Sequence, residues 1–288
     1  MKLKHIALIV ALVFSGTQMH GQFLKKLKNK LQEVTEDIVI DKTSQKVEQS
    51  LGKRLDSLFG IDGDYKFGGI NMGGFSLLND SILPETYYFE WKYILRIESP
   101  EDDPIDIAYY LKAEEKYFGM QPTLDDLKKN DDVFIVMDTE HNTNAIFMTN
   151  NNKKTGMVMK MNLDLENIES DPYLENDFTF EELDDKVING KNCKGFKMEN
   201  DDAIMIMYNA MDAPVSFSSI FGINTKNVPK GFNPKWLNQA ENSLIMEATY
   251  TDKSNNKSTT MQCIDLAAHD LQIHKQDYDF TSLGNYSN

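Results

Sequence analysis

Beyond Pro84 the apolar side chains recur at every second residue, and only an extended strand gathers residues so spaced on one side. Phe89, Trp91, Tyr93, Leu95 and Ile97 alternate with Glu90, Lys92, Ile94, Arg96 and Glu98, so one face of this strand is apolar and the other mostly wet. Such a strand belongs in an antiparallel sheet buried on one side. Ile105, Ile107, Tyr109 and Leu111 repeat the pattern after a turn at Glu101 to Pro104. Lys116 to Met120, Val133 to Asp138, Ala145 to Thr149 and Gly156 to Met161 continue it. Asn189-Gly190 is a hairpin signal, because both residues tolerate the positive φ of a type I′ turn. Phe196 to Glu199 then pairs with Ala203 to Tyr208, and Leu244 to Tyr250 with Ser258 to Leu266. His269 to Phe280 reads as a further terminal strand.

The first 84 residues follow other rules. Lys2 and Lys4, the apolar run Ile6 to Phe14 and the polar stretch to Gly21 have the layout of a cleaved secretory signal, and cleavage before Gln22 is expected. The run is too short to cross a bilayer, which takes roughly 20 apolar residues. No Cys lies near the cleavage region, so the mature chain is expected to be periplasmic or secreted and not lipid-anchored. Leu24, Leu27, Leu31, Val34 and Ile38 step by three and four, with Lys25, Lys26, Lys28 and Lys30 around them, which predicts an amphipathic helical segment over 22–59. The glycines at 60, 63, 68, 69, 73 and 74 mark a linker over 60–84. The sheet domain then spans 85–282 and a tail 283–288. The expected class is α+β: a large curved antiparallel sheet preceded by an N-terminal helical segment. Asn209 to Gln239, with Pro214, Pro229 and Pro234, is a long excursion of the kind that serves as a lid or binding loop.

The formal net charge is −15, and the acidic excess lies after residue 60, since 22–60 hold eight Lys/Arg against six Asp/Glu. A body of this sign repels nucleic-acid phosphates. Arg occurs only at 54 and 96, which argues against a phosphate or carboxylate clamp.

Catalytic patterns are absent: no HExxH, GxSxG, P-loop or clustered Cys/His occurs. His141 falls in a hairpin turn, and an enzyme reading would require His269 or His274 to meet an acidic turn in a cleft. The acidic pairs, from Glu101-Asp102 to Asp201-Asp202, crowd the turns as solvated charge, and no metal or cofactor is expected. Methionine is the residue that departs from expectation, with 15 in the chain. Met157, Met159 and Met161 share one face of a strand, and Met205 and Met207 one face of another. Three readings stand open: ordinary core filling, an adaptable apolar groove, and a thioether site for Cu(I). Cys193 and Cys263 both fall on strands; a disulfide and a pair of buried free thiols are both open.

Several stations in order resemble the bacterial family catalogued as domain of unknown function 4412, common in exported proteins of the Bacteroidetes group. They are Tyr117-Phe118-Gly119-Met120, Val133 to Asp138, Ala145 to Met148, the hairpin Val187 to Phe196 with its Cys193, and Tyr278-Asp279-Phe280. Met207-Tyr208 stands where the family often has a Trp. The resemblance, over residues 85–282, implies a half-barrel similar to the periplasmic lipoprotein carrier LolA, and it carries no catalytic residue. The functional expectation is a non-enzymatic exported protein that binds an apolar ligand, lipid or lipoprotein, on a face including Phe89, Trp91, Tyr93, Met157, Met159, Met161, Met205 and Met207. The alternative is a structural or interaction protein whose helix at 23–40 engages a partner or self-associates.

Overall fold

The computed structural model describes residues 66–67, 70–71, 78–100, 102–122, 132–150, 152–160, 179–217 and 243–280. A small hairpin, β1 (Lys66–Phe67) with β2 (Ile70–Asn71), and a 3-10 turn at Asp80–Ile82 precede the main sheet. The sheet's strands are β3 (Thr86–Ser99), β4 (Asp102–Leu111), β5 (Tyr117–Pro122), β6 (Asp132–Asp138), β7 (Thr143–Asn150), β8 (Lys153–Lys160), β9 (Thr179–Ile188), β10 (Lys191–Glu199), β11 (Ala203–Ala210), β12 (Leu244–Asp252), β13 (Lys257–His274) and β14 (Asp279–Phe280). Their order across the sheet is β14-β8-β7-β6-β5-β4-β3-β13-β12-β11-β10-β9. All neighbours are antiparallel except β14 and β8.

This arrangement corrects the expected α+β class. Among the described residues there is no α-helix, and the fold is one large, mostly antiparallel sheet. Every period-two run became a strand, whereas the helical part of the expectation rested on residues 22–59 alone, which lie outside the described residues. So do the signal, the tail and the excursion beyond residue 217.

Local chemistry accounts for the hairpins. Asn189 and Gly190 take φ of 50° and 73°, the pair of left-handed conformations a type I′ turn requires. Asn142, Asn152 and Asn256 occupy the same region at other turns, where a short amide side chain tolerates it.

The sheet is buried differently along its width. β11 keeps the expected alternation, with Ala203, Met205 and Met207 buried and Ile204, Ile206 and Tyr208 partly exposed. In β6 to β8 both faces are covered: residues 143–148 are all buried, as are 133–136. The cover comes from the chain itself. β3 and β13 form a ribbon that extends past β4, and its far end turns back over the outer face of β4 to β8. Tyr87, Phe89 and Ile273 there pack with Phe134, Val136, Ala145, Phe147 and Val158. Leu78 N–H donates to Val158 O (2.9 Å) and β14 pairs along β8, which fastens both ends of this cover. Gly119 is a point of close approach: a Cβ there would lie 2.3 Å from the Phe134 ring.

Two bulges in β13, at Cys263/Asp265 and Ala268/Leu271, let the ribbon turn. They also explain why His269 to His274 is not a separate strand as expected: it continues β13, paired with β3 as far as Thr86. On the opposite arm the sheet curls. Asn189 Nδ2 donates to Cys263 O at 2.6 Å, although three strand spacings separate β10 from β13, about 14 Å in a flat sheet.

Candidate functional site

The inner face carries the methionines. Ile146 lies between Met157 and Ile135, and Ile135 is paired in turn with Met120. On the other arm Ile97, Met261, Ala248 and Met207 form a lateral row, with Met205 beside Met198. Among the described residues, seven of the thirteen buried members of this cluster are Met: 148, 157, 159, 198, 205, 207 and 261. A second cluster adjoins it, with Tyr93, Leu95, Leu111, Phe118, Ile188, Cys193, Leu244, Met246 and Cys263. Tyr109 and Met120 pack against both, so the two form one continuous apolar face with a methionine end and an aromatic, cysteine-bearing end.

Of the residues singled out in the sequence, Met157, Met159, Met205 and Met207 come together at the methionine end, and Tyr93 and Trp91 lie at the aromatic end. Phe89 does not join them. It sits on the covered outer face, because the ribbon turns between Phe89 and Tyr93, opposite the Ala268/Leu271 bulge, and a period-two count carried through that turn assigns the wrong side. Met161 lies outside the described residues. Sequence reasoning missed Met148, Met198 and Met261, each two residues from an apolar strand position already recognised. It also missed Phe217, which follows β11 in a stretch with no period.

Cys193 and Cys263 are both free and fully buried in the same cluster. Burial pushes the Cys263 thiol up to about 11 and raises that of Cys193. Only a thiolate is a good nucleophile, so iodoacetamide at pH 8 is expected to modify Cys263 roughly a hundredfold more slowly in the native chain than in the unfolded chain, and Cys193 more slowly as well. Mass spectrometry of a time course measures this, and equal rates in the two states would contradict it.

One polar constellation is buried. Asp138, 1% exposed at the end of β6, accepts from Tyr87 Oη (3.0 Å) and from the backbone N–H of Glu140 and His141 (3.0 Å each), and its Oδ2 lies 2.8 Å from His141 Nδ1. A His oriented by a buried Asp is the base half of a nucleophilic device. Here the pair ties the turn between β6 and β7 to Tyr87. His274 Nδ1 meets Thr86 Oγ1 at 3.0 Å, and His269 lies beside the Tyr110 ring. Among the described residues no group of three or more His, Cys, Asp or Glu could hold a metal ion, and no helix is long and apolar enough to cross a membrane.

Among the described residues, sheet and site together define an all-β fold whose distinctive feature is a buried, methionine-rich sheet face. Over residues 93–272 the chain matches the family described as Domain of unknown function (DUF4412), and it belongs to that family. No curated protein matches it. Among solved structures it is similar to PNGF-II, at 11% identity and TM-score 0.33, over 67% of this chain and 30% of that one. An uncharacterized conserved protein from Thermus thermophilus matches at 8% identity and TM-score 0.35, over 70% of this chain and 93% of the other. A LolA superfamily protein from Nitrosomonas europaea matches at 11% identity and TM-score 0.23, over 67% and 90%. This chain thus spans less than a third of the length of PNGF-II, and likenesses this weak assign no role to any residue.

Proposed function

We propose that this is a non-enzymatic binding protein, exported by its N-terminal signal, whose methionine face holds an apolar ligand such as a lipid or a lipoprotein acyl chain. The supporting observation is the residue type chosen for that face. A buried sheet face selected for stability alone is best built from Val, Ile and Phe, which favour the strand and hold few rotamers. Seven Met among thirteen buried positions give up that rigidity. Met has three rotatable bonds and a polarizable thioether, so a face made of it re-forms around apolar chains of different shape. Met157, Met159, Met205 and Met207 are the proposed contacts, with Tyr93 and Trp91 at the far end.

Protein purified without detergent from an exporting host is expected to carry an apolar ligand in native mass spectrometry. After delipidation it is expected to take up a fluorescent C16 fatty acid. Replacing Met157, Met205 and Met207 together by Leu conserves volume, at less than about 1.5 kcal/mol per site, so the fold persists. Uptake is expected to weaken roughly tenfold, equivalent to about 1.4 kcal/mol, because the face has stiffened. Wild-type protein with no co-purifying lipid and no uptake would sink the reading.

A further inference from the structure

The aromatic end of the face is occupied by the chain's own side chain. Tyr93 on β3, Tyr109 on β4 and Phe118 on β5 form a floor from three adjacent strands, and the Phe217 ring stands on it. Its centroid is 5.5 Å from Tyr109 and 5.4 Å from Phe118, at interplanar angles of 87° and 89°, and 6.3 Å from Tyr93 at 63°. These are edge-to-face contacts, the preferred arrangement of aromatic pairs. The floor is deeply placed, with Tyr93 1% and Phe118 5% exposed, whereas Phe217 is only partly buried. Phe217 arrives on residues 211–217, which follow β11 and enter no strand pairing. Lifting it off therefore breaks no pairing of the described strands.

We propose that Tyr93, Tyr109 and Phe118 form a subsite for an uncharged ring-bearing apolar ligand, and that Phe217 is a built-in stopper which such a ligand displaces. The class of ligand follows from what the floor already accepts. It holds a phenyl ring perpendicular to those of Tyr109 and Phe118, and the Tyr93 hydroxyl is engaged by Ile245 O, so at Tyr93 the floor offers ring surface and no free donor. The subsite adjoins the methionine end through Tyr109 and Met120, and in that respect it rests on the proposed binding face. An incoming ring replaces the contacts with Tyr93, Tyr109 and Phe118 that Phe217 gives up.

A stopper lowers apparent affinity by the fraction of molecules in which the site is open, so removing it tightens binding by the inverse of that fraction. The test uses the full mature chain and N-phenyl-1-naphthylamine, an uncharged fluorophore that carries a phenyl and a naphthyl group, titrated into wild type, Phe217→Ala, Phe217→Leu and Phe217→Trp. Phe217→Ala is expected to bind about tenfold tighter than wild type, Phe217→Leu in between, and Phe217→Trp more weakly. Thermal melts confirm folding, and Phe217→Leu, which keeps most of the volume without the ring, decides the matter if Phe217→Ala unfolds. Equal or weaker binding by the folded variants, or no binding by any chain, overturns the stopper. A parallel titration with a fluorescent straight-chain C16 acid separates the two readings. Chain uptake without any Phe217 effect on the ring probe sinks only the subsite, and a Phe217 effect without chain uptake sinks only the methionine-face carrier.

Discussion

Replacing Asp138 by Ala is expected to lower unfolding free energy by about 3–5 kcal/mol, the cost typical of removing one partner from a buried charge network. The carboxylate is 1% exposed and satisfies four donors at once. Two are the N–H groups of Glu140 and His141, which turn the chain from β6 into β7, with Asn142 at φ 54° completing the turn. The third is His141 Nδ1. The fourth, Tyr87 Oη, comes from the far end of the β3 and β13 ribbon, so the same carboxylate pins the outer cover to the sheet. Truncation orphans a buried phenol as well as the turn. Asp138→Asn keeps an acceptor for the turn but sets an amide against the remaining donors, and about 1–3 kcal/mol is expected for it. Tyr87→Phe removes one hydrogen bond to a charged group and should cost about 1.5–3 kcal/mol. Urea midpoints at fixed pH measure all three; an Asp138→Ala loss below about 1 kcal/mol would show that the network contributes little.

That network was not legible in the sequence, and the reason is physical. His141 and Asp138 are three residues apart in a turn, a spacing that usually puts both in solvent. What covers Asp138 is Tyr87, 51 residues away, carried there by the folding back of the ribbon. The hairpins were legible because their determinants are local: Asn189-Gly190 specifies its turn by backbone freedom, and the alternation of β11 specifies its faces. The alternation through β6 and β7 was read as one-sided, but Val133 to Met137 is a continuous apolar run, the mark of a strand buried on both faces. Phe89 and the continuity of β13 share one cause. The Ala268/Leu271 bulge bends the ribbon of β3 and β13, and Ala267 to Gln272 shows no apolar period from which to find it. The methionine rows were found because each strand showed them separately. That they form one face is a consequence of strand order, which no local pattern encodes.

The buried tyrosines set an upper pH limit for the fold. Burial, reinforced by the charge of Asp138, pushes the Tyr87 phenol well above its ordinary value of 10.0, and burial alone raises Tyr109 to about 12. Burial likewise raises Tyr93 strongly, Tyr117 to about 12, and Tyr110 and Tyr278 upward. A phenol whose folded pKa lies above its unfolded one keeps its proton longer in the native state. Its stabilisation is therefore complete below about pH 10 and is lost as pH rises through the folded value. Each tyrosine that is protonated only when folded lowers stability by about 1.4 kcal/mol per pH unit in that interval, and several act together. The protein is expected to unfold cooperatively between about pH 10 and 12, with phenolate absorbance near 295 nm rising in step with the loss of the β-sheet circular dichroism signal. Tyr109→Phe removes a hydroxyl raised by burial alone, so it should reduce the slope of stability against pH by close to one proton while leaving the neutral-pH stability nearly unchanged. Phenolate absorbance that grows gradually from pH 10 with the sheet signal intact would mean that these hydroxyls reach water in the folded chain, and the outer cover would then have to be looser than its ring contacts imply.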